Sequence, residues 1–418
     1  MSCISRKLRR GVSQDIEFVG SSQTQNPSAS TTLVINKPTG TLDGDLMLAF
    51  CYNERFSTTS QFTAPAGWTK LVGTDLDSSL NRCSTIFWKI AAAEGSNYTF
   101  TNESRISSGA ILTYRNAKIG LHGAFSAPAA NAILPEIKIP TDKCILLASI
   151  HNDNASTTLG TPSGMSSVVS DSDANRPSYK ICSQTVDAGL TGTKTTSTTP
   201  VDTGTYGILF FIVPASYTPP EITFVNSASN QNTSSGITQL TINKPTGTIE
   251  NDLLIAFVVT STSETWTGDT GWTEIGDLGS RPSLRVAYKI ATASEASSYT
   301  FTTGTTTNQP SGTILVYRNA TYDTIGSFAS GTDPVSIASI NIAENYSRLI
   351  ACFARSSGSV TILAPTDMST IVTENDTTDP SYAIFDQLVG YGASSARSAT
   401  LGSSSNVCGI MLAIKPTS

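Results

Sequence analysis

Few side chains in this sequence have the type and spacing to do chemistry. Its 418 residues include two histidines, His122 and His151. A Ser-His-Asp triad or a histidine-rich zinc site would have to use one of them. Neither is echoed later in the chain, and no GxSxG, HExxH or Gly-rich phosphate loop is present. Asp171-Ser172-Asp173-Ala174-Asn175 opens with calcium-loop spacing, but Arg176 stands where that loop needs Gly and no suitable Glu follows. The reading there is a solvated turn, as for Glu374-Asn375-Asp376 in the matching place. Two acids could still meet in space for glycoside hydrolysis, but no pattern points to a pair. No catalytic, cofactor-binding or metal-ligating residue is assigned, no cofactor is expected, and the chain is not expected to be an enzyme.

Three other groups invite a binding reading. Arg115 and Arg318 each end an apolar stretch in the same context, Tyr-Arg-Asn-Ala. Each could grip a ligand carboxylate with two nitrogens, or pair with an Asp of its own domain, which is the expectation. Gly67-Trp68 and Gly271-Trp272 could stack on sugar rings. Met165 and Met368 fill the related positions, however, and a site that accepts Trp or Met reads as a core plug. The third group is Arg6, Lys7, Arg9 and Arg10, the sole basic cluster, in an N-terminal arm ahead of the first strand. These four are the candidate partner-binding residues.

The seven cysteines form no CxxC pair, and most sit inside apolar runs such as Cys144-Ile145-Leu146-Leu147-Ala148. They read as reduced thiols serving as small core hydrophobes. The formal net charge of −6 argues against a phosphate-tracking surface and so against nucleic acid as a partner. No apolar run follows the arm as in a signal peptide, and none is long enough to span a membrane as a helix. The expectation is a soluble protein made in a cytoplasm.

These residues are carried by a duplication. Ile35-Asn36-Lys37-Pro38-Thr39-Gly40-Thr41 returns unchanged as Ile242-Asn243-Lys244-Pro245-Thr246-Gly247-Thr248. Asp45-Leu46-Met47-Leu48-Ala49-Phe50 is answered by Asp252-Leu253-Leu254-Ile255-Ala256-Phe257, and Tyr114-Arg115-Asn116-Ala117 by Tyr317-Arg318-Asn319-Ala320. A fainter echo runs inside each repeat: Cys144 to Ile150 resembles Asp45 to Phe50, and Tyr206 to Phe211 resembles Gly109 to Tyr114. With 14% charged residues and abundant Ser, Thr, Gly and Asn, the chain suits strands and turns. Short apolar runs bounded by turns read as buried strands. Ala91-Ala92-Ala93-Glu94 and Ala291 to Ala296 alone hint at a helical turn.

The expected fold is all-β: two tandem antiparallel β-sandwich domains of jelly-roll-like character, each built from two half-units around a shared core. The boundaries are a basic arm over 1–15, a first domain over 16–217, a Pro-rich linker over 218–221 and a second domain over 222–418. The linker, with Pro219-Pro220, is expected to be short and semi-rigid.

The Pro-x-Gly turn, the Asp-Leu-Leu-x-Ala run, Gly-Trp, Tyr-Lys-Ile-Ala, Ser-Tyr-Thr-Phe-Thr and Ile-Leu-x-Tyr-Arg-Asn-Ala resemble the roughly 200-residue β-sandwich modules of tailed-bacteriophage virion proteins. The resemblance covers nearly the whole chain twice, the arm excepted. It implies a structural protein of the tail, fibre or capsid-decoration type, located in the virion after assembly in a host cytoplasm. Its partners would be other virion proteins of capsid or tail, or further copies of itself. No heptad stretch provides a fibre shaft, which favours a compact decoration or tail-attached protein. The alternative is a carbohydrate-binding or adhesin module that recognises a host-surface glycan.

Overall fold

The structure, a computed structural model, describes residues 15–54, 62–73, 82–152, 154, 156–172, 177–232, 235–267, 270–375, 380–402 and 406–417. Arg6, Lys7, Arg9 and Arg10 lie outside the described residues. Two compact units emerge, 1–218 and 219–418.

Unit 1 begins with seven strands: β1 (Glu17–Gln25), β2 (Ser30–Asn36), β3 (Leu46–Glu54), β4 (Thr69–Gly73), β5 (Arg82–Ile90), β6 (Asn97–Arg105) and β7 (Ser107–Arg115). Five of them form an antiparallel sheet in the order β1-β7-β3-β5-β4, and β2 pairs with β6 in a separate ladder. The chain thus winds between two layers, which is the jelly-roll-like character. The second half-unit repeats the scheme. Its sheet runs Ala117–Phe125, Tyr206–Pro214, Cys144–Asn152, Ser178–Val186, Ser166–Asp171, the same order of equivalent strands.

Unit 2 builds both sheets again. One has the order Thr223–Gln231, Ser311–Arg318, Leu253–Thr260, Ser283–Ile290, Thr273–Leu278; the other Ala320–Ile325, Val407–Pro416, Ser347–Arg355, Ser381–Val389, Ser369–Glu374. All four half-units therefore share one topology. The faint echo within each repeat is a structural repeat.

Central strands are buried on both faces, which explains their continuous apolar runs. In β3, Leu46, Leu48, Phe50 and Tyr52 point to one side, where they meet Leu147, Tyr179, Ile208, Phe210 and Ile212 of the second sheet. This is the shared core between the two half-units. Met47, Ala49 and Cys51 point the other way, against Leu33, Ile35, Tyr98 and Phe100 of the β2–β6 ladder. The second sheet is covered in turn by Leu134, Ile137, Ile139, Leu159 and Met165. Each unit is thus a sandwich of two sheets with a further layer outside each, five-stranded except that Ala329–Gly331 adds a sixth strand beside Val407–Pro416 in unit 2. Unit 2 has the same three cores.

Of the two alanine-rich segments, the first is a bend and the second a turn, and neither is helix. Ala93 takes a left-handed φ of 51°. Ala92 donates to Glu94 Oε1 and Ala93 to Asp43 Oδ1, which fixes the bend between two strands.

Candidate functional site

The duplicated Lys-Pro-Thr-Gly-Thr turn leads into the central strand and sets one end of each unit. Gly40 and Gly247 adopt φ of 88° and 89°. A Cβ there would also meet Val19 Cγ1 at 3.3 Å or Val225 Cγ1 at 3.2 Å, so Gly is required twice over. Val19 and Val225 are the extra residues of matching bulges in the edge strands. The Thr41 hydroxyl bonds back to Pro38 O at 2.8 Å and meets Thr113 Oγ1 at 3.0 Å.

Both candidate arginines are committed at this end. Arg115 Nε and Nη2 donate to Asp45 at 3.0 and 2.9 Å, and Nη2 also reaches Gly40 O at 3.1 Å. Arg318 repeats the clamp on Asp252 and Gly247 O. The carboxylate bonds push both guanidinium pKa values up. As expected, each arginine pairs within its own domain.

The tryptophans pack on the cores, Trp266 buried and Trp68, Trp88 and Trp272 half-buried. Trp68 meets Tyr98 and Phe100 edge-on at 5.1 and 5.6 Å, and Trp272 meets Tyr299 and Phe301 at 5.3 and 5.5 Å. Trp266 is fully buried beside Trp272, and Trp88 packs against the shared core. Met165 and Met368 plug the corresponding cores of the other half-units. Next to each Gly-Trp turn lies a buried ion pair. Lys89 Nζ is 2.6 Å from Glu94, which also accepts the Tyr98 hydroxyl at 2.7 Å. Lys289, Glu295 and Tyr299 repeat it at 2.9 and 2.8 Å. Burial pushes the Glu295 carboxyl up, but bonds from Thr292, Lys289 and Tyr299 outweigh it and hold the pKa at about 2. Glu94 is lowered in the same way.

The two histidines flank the strand Tyr206–Pro214 from opposite sides, His151 opposite Tyr206 and His122 opposite Phe210. His151 is 1% exposed, with Nδ1 2.7 Å from the Tyr206 hydroxyl and its ring 5.1 Å from that of Tyr52. No substrate reaches it there. His122 Nδ1 lies 2.8 Å from Gly123 O. Cys51, Cys83, Cys144, Cys182, Cys352 and Cys408 are buried free thiols, as read from the sequence. Asp171 ends the strand Ser166–Asp171, while Asp173, Ala174, Asn175 and Asp376 lie outside the described residues. Among the described residues no cluster of His, Cys, Asp and Glu could hold a metal ion, and no helix is long and apolar enough to cross a membrane.

The surface carries a feature that sequence reading missed. Phe18, Leu42 and Ile90 are exposed around the Lys-Pro-Thr-Gly-Thr turn, and Phe224, Ile249 and Ile290 take the same places in unit 2. Phe18 precedes the bulge residue Val19 that abuts Gly40. Gly44 N donates to Ala91 O at 2.9 Å, which ties the turn to the residue after Ile90. An apolar residue at each place in both repeats was visible in the sequence, but its exposure was not. Elsewhere, a shallow hollow of about 290 Å³ has Ile139, Val186 and Leu190 as its apolar lining and Gln184, Asp187 and Lys194 as polar lining.

No family model and no curated protein matches this chain. Among solved structures, a chain from the triple jelly roll fold and turret assembly in an archaeal virus is 14% identical. The match covers 72% of this chain and 90% of that one with a TM-score of 0.17. So low a score supports neither a shared fold nor a shared function.

Proposed function

We propose that this chain is a non-enzymatic structural protein of a virus particle, of the capsid-decoration or tail-associated kind met in tailed phages. It docks through Arg6, Lys7, Arg9 and Arg10 on a neighbouring virion protein. The observation that carries the reading is where the polar residues go. Arg115, Arg318, Lys89, Lys289, Glu94 and Glu295 are spent on holding layers together, while the surface repeats the same exposed apolar positions around the turn of each unit. That is the pattern of a part that assembles. The sequence resemblance to phage virion modules agrees with it.

The arm fits a docking role by charge. Its 15 residues hold four of the chain's 26 basic residues and one of its 32 acids, Asp15. The glycan-binding alternative would have to use something other than Trp68 and Trp272, which pack against the cores, for instance the hollow beside Lys194.

The test is electron microscopy of purified particles with the chain traced in the map, together with loading of a variant lacking residues 1–15. Two units at a symmetry-related capsid or tail site, and failure of the shortened chain to load, are expected. Absence of the chain from particles refutes the structural role. Normal occupancy by the shortened chain refutes docking through the arm.

A further inference from the structure

The apolar clusters of the two units differ in their acids. Around the unit 1 turn the carboxylates are engaged: Asp15 with Lys143 at 2.7 Å, Asp43 with Ala93 N at 2.8 Å, and Glu17 at 3.7 Å from Arg115. At the matching places in unit 2, Glu221 and Glu250 are exposed, and neither carboxylate has a partner among the described residues. Of the nearby cations, Arg318 is taken by Asp252 and Lys289 by Glu295, which leaves Lys244 of the turn as the one lysine set against the two acids. The unit 2 surface around this turn therefore combines three exposed apolar side chains, Phe224, Ile249 and Ile290, with a net excess of negative charge, Glu221 and Glu250 against Lys244.

We propose that this surface is the receptor for the N-terminal segment, residues 1–14, of a second copy of the chain. The inference rests on the docking role proposed for the arm and names its partner. The segment Ile4-Ser5-Arg6-Lys7-Leu8-Arg9-Arg10 supplies both complements, cations for Glu221 and Glu250 and two aliphatic side chains for the apolar cluster. Unit 2 has no arm of its own. The stretch leading into it, Pro214-Ala215-Ser216-Tyr217-Thr218-Pro219-Pro220, contains no basic residue. A contact between the arm of one copy and unit 2 of the next is heterologous, so it builds a ring or an open row of subunits.

The experiment mixes full-length chains of natural and heavy nitrogen in equal parts, adds an amine-reactive cross-linker and maps the products by mass spectrometry. Sedimentation follows the association state. Expected are mixed-isotope cross-links from Lys7 to Lys244 and a mass that grows with concentration. Association should weaken at least tenfold in Ile249→Asp/Ile290→Asp, in Glu250→Lys, in Arg6→Glu/Arg9→Glu and at raised salt. Leu42→Asp/Ile90→Asp in unit 1 should leave it unchanged. Glu250→Lys changes an exposed side chain, and a matching unfolding midpoint shows that its effect does not come from misfolding. A chain that stays monomeric, same-isotope cross-links only, or association untouched by the unit 2 variants overturns the proposal. Should arm-dependent loading onto particles persist without self-association, the structural role stands and this choice of partner falls.

Discussion

Arg115 holds Asp45 through two nitrogens, and through that pair the end of β7 is fixed to the start of β3. The carboxylate is almost fully buried, and its second role is to accept Leu42 N at 2.9 Å, which closes the turn. Lysine can supply the charge but not the planar fork. Arg115→Lys should lower the unfolding midpoint of unit 1 and Arg318→Lys that of unit 2, each without shifting the other. Denaturant melts followed by exchange-resolved mass spectrometry distinguish the units.

Two buried tyrosine hydroxyls differ from two others. Tyr114 and Tyr317 place theirs in the core with no hydrogen-bond partner among the described residues. Tyr52 and Tyr382 bond to Ser149 and Thr313, each at 2.7 Å. An unmade buried bond costs about 1–3 kcal/mol. Tyr114→Phe and Tyr317→Phe should therefore be neutral or stabilising by up to about 1 kcal/mol, whereas Tyr52→Phe and Tyr382→Phe should lose about 1 kcal/mol each. Equilibrium urea unfolding checks all four.

Acid should loosen the outer ladder of unit 2 within a defined window. The folded Glu295 carboxyl titrates at about 2, against an ordinary value of 4.5. Its contribution is complete above the ordinary value and disappears as pH falls toward the folded one. Stability should thus drop between about pH 4.5 and 2. Glu295→Gln should be less stable at pH 7 and should flatten that part of the profile, measured as midpoint against pH.

The six described cysteines should resist alkylation. Burial raises the thiol pKa of each that shifts, Cys144 and Cys182 to about 11 and Cys408 to about 12. Buried thiols with little thiolate react slowly. At pH 8, iodoacetamide should leave these six unmodified in the native protein and label all of them after guanidinium unfolding. Peptide mapping reads the result site by site.

The Tyr-Arg-Asn-Ala signature is legible once φ is known. Asn116 and Asn319 sit at φ of 57° and 58°, where the chain leaves one five-stranded sheet for the other. Asparagine tolerates this region, and its Nδ2 also bonds the carbonyl of Asp15 or Glu221. Asn116→Ala should cost about 1–2 kcal/mol, and Asn116→Gly should stay within about 0.5 kcal/mol of the parent in the same unfolding assay.

Much of the fold was readable because its determinants are local or repeated. The Pro-x-Gly turn and the two-faced apolar runs such as Leu46 to Phe50 announce strand order and burial before any contact is seen. What escaped depends on distant neighbours. Nothing around Leu42 says that no layer covers it, since an exposed Leu and a buried one look alike in a sequence. Arg285 is similar: it lies buried beside Glu274 at 2.6 Å where unit 1 has Thr85, an ion pair that no spacing rule foretells. The first alanine segment misled because Ala93 takes a left-handed φ of 51°, which a right-handed helical turn does not contain.

The core shared by the two half-units constrains the history of the chain. A polypeptide ending after Arg115 would expose Leu46, Leu48, Phe50, Tyr52 and Leu112 to water along one whole sheet face. It could persist only by pairing that face with its like, as a two-fold symmetric dimer. Joining two such genes through Asn116 turns that dimer into a single covalent unit and frees its halves to diverge, Trp68 in one and Met165 in the other. A later doubling of the fused pair accounts for a long repeat that is plain and a short one that is faint.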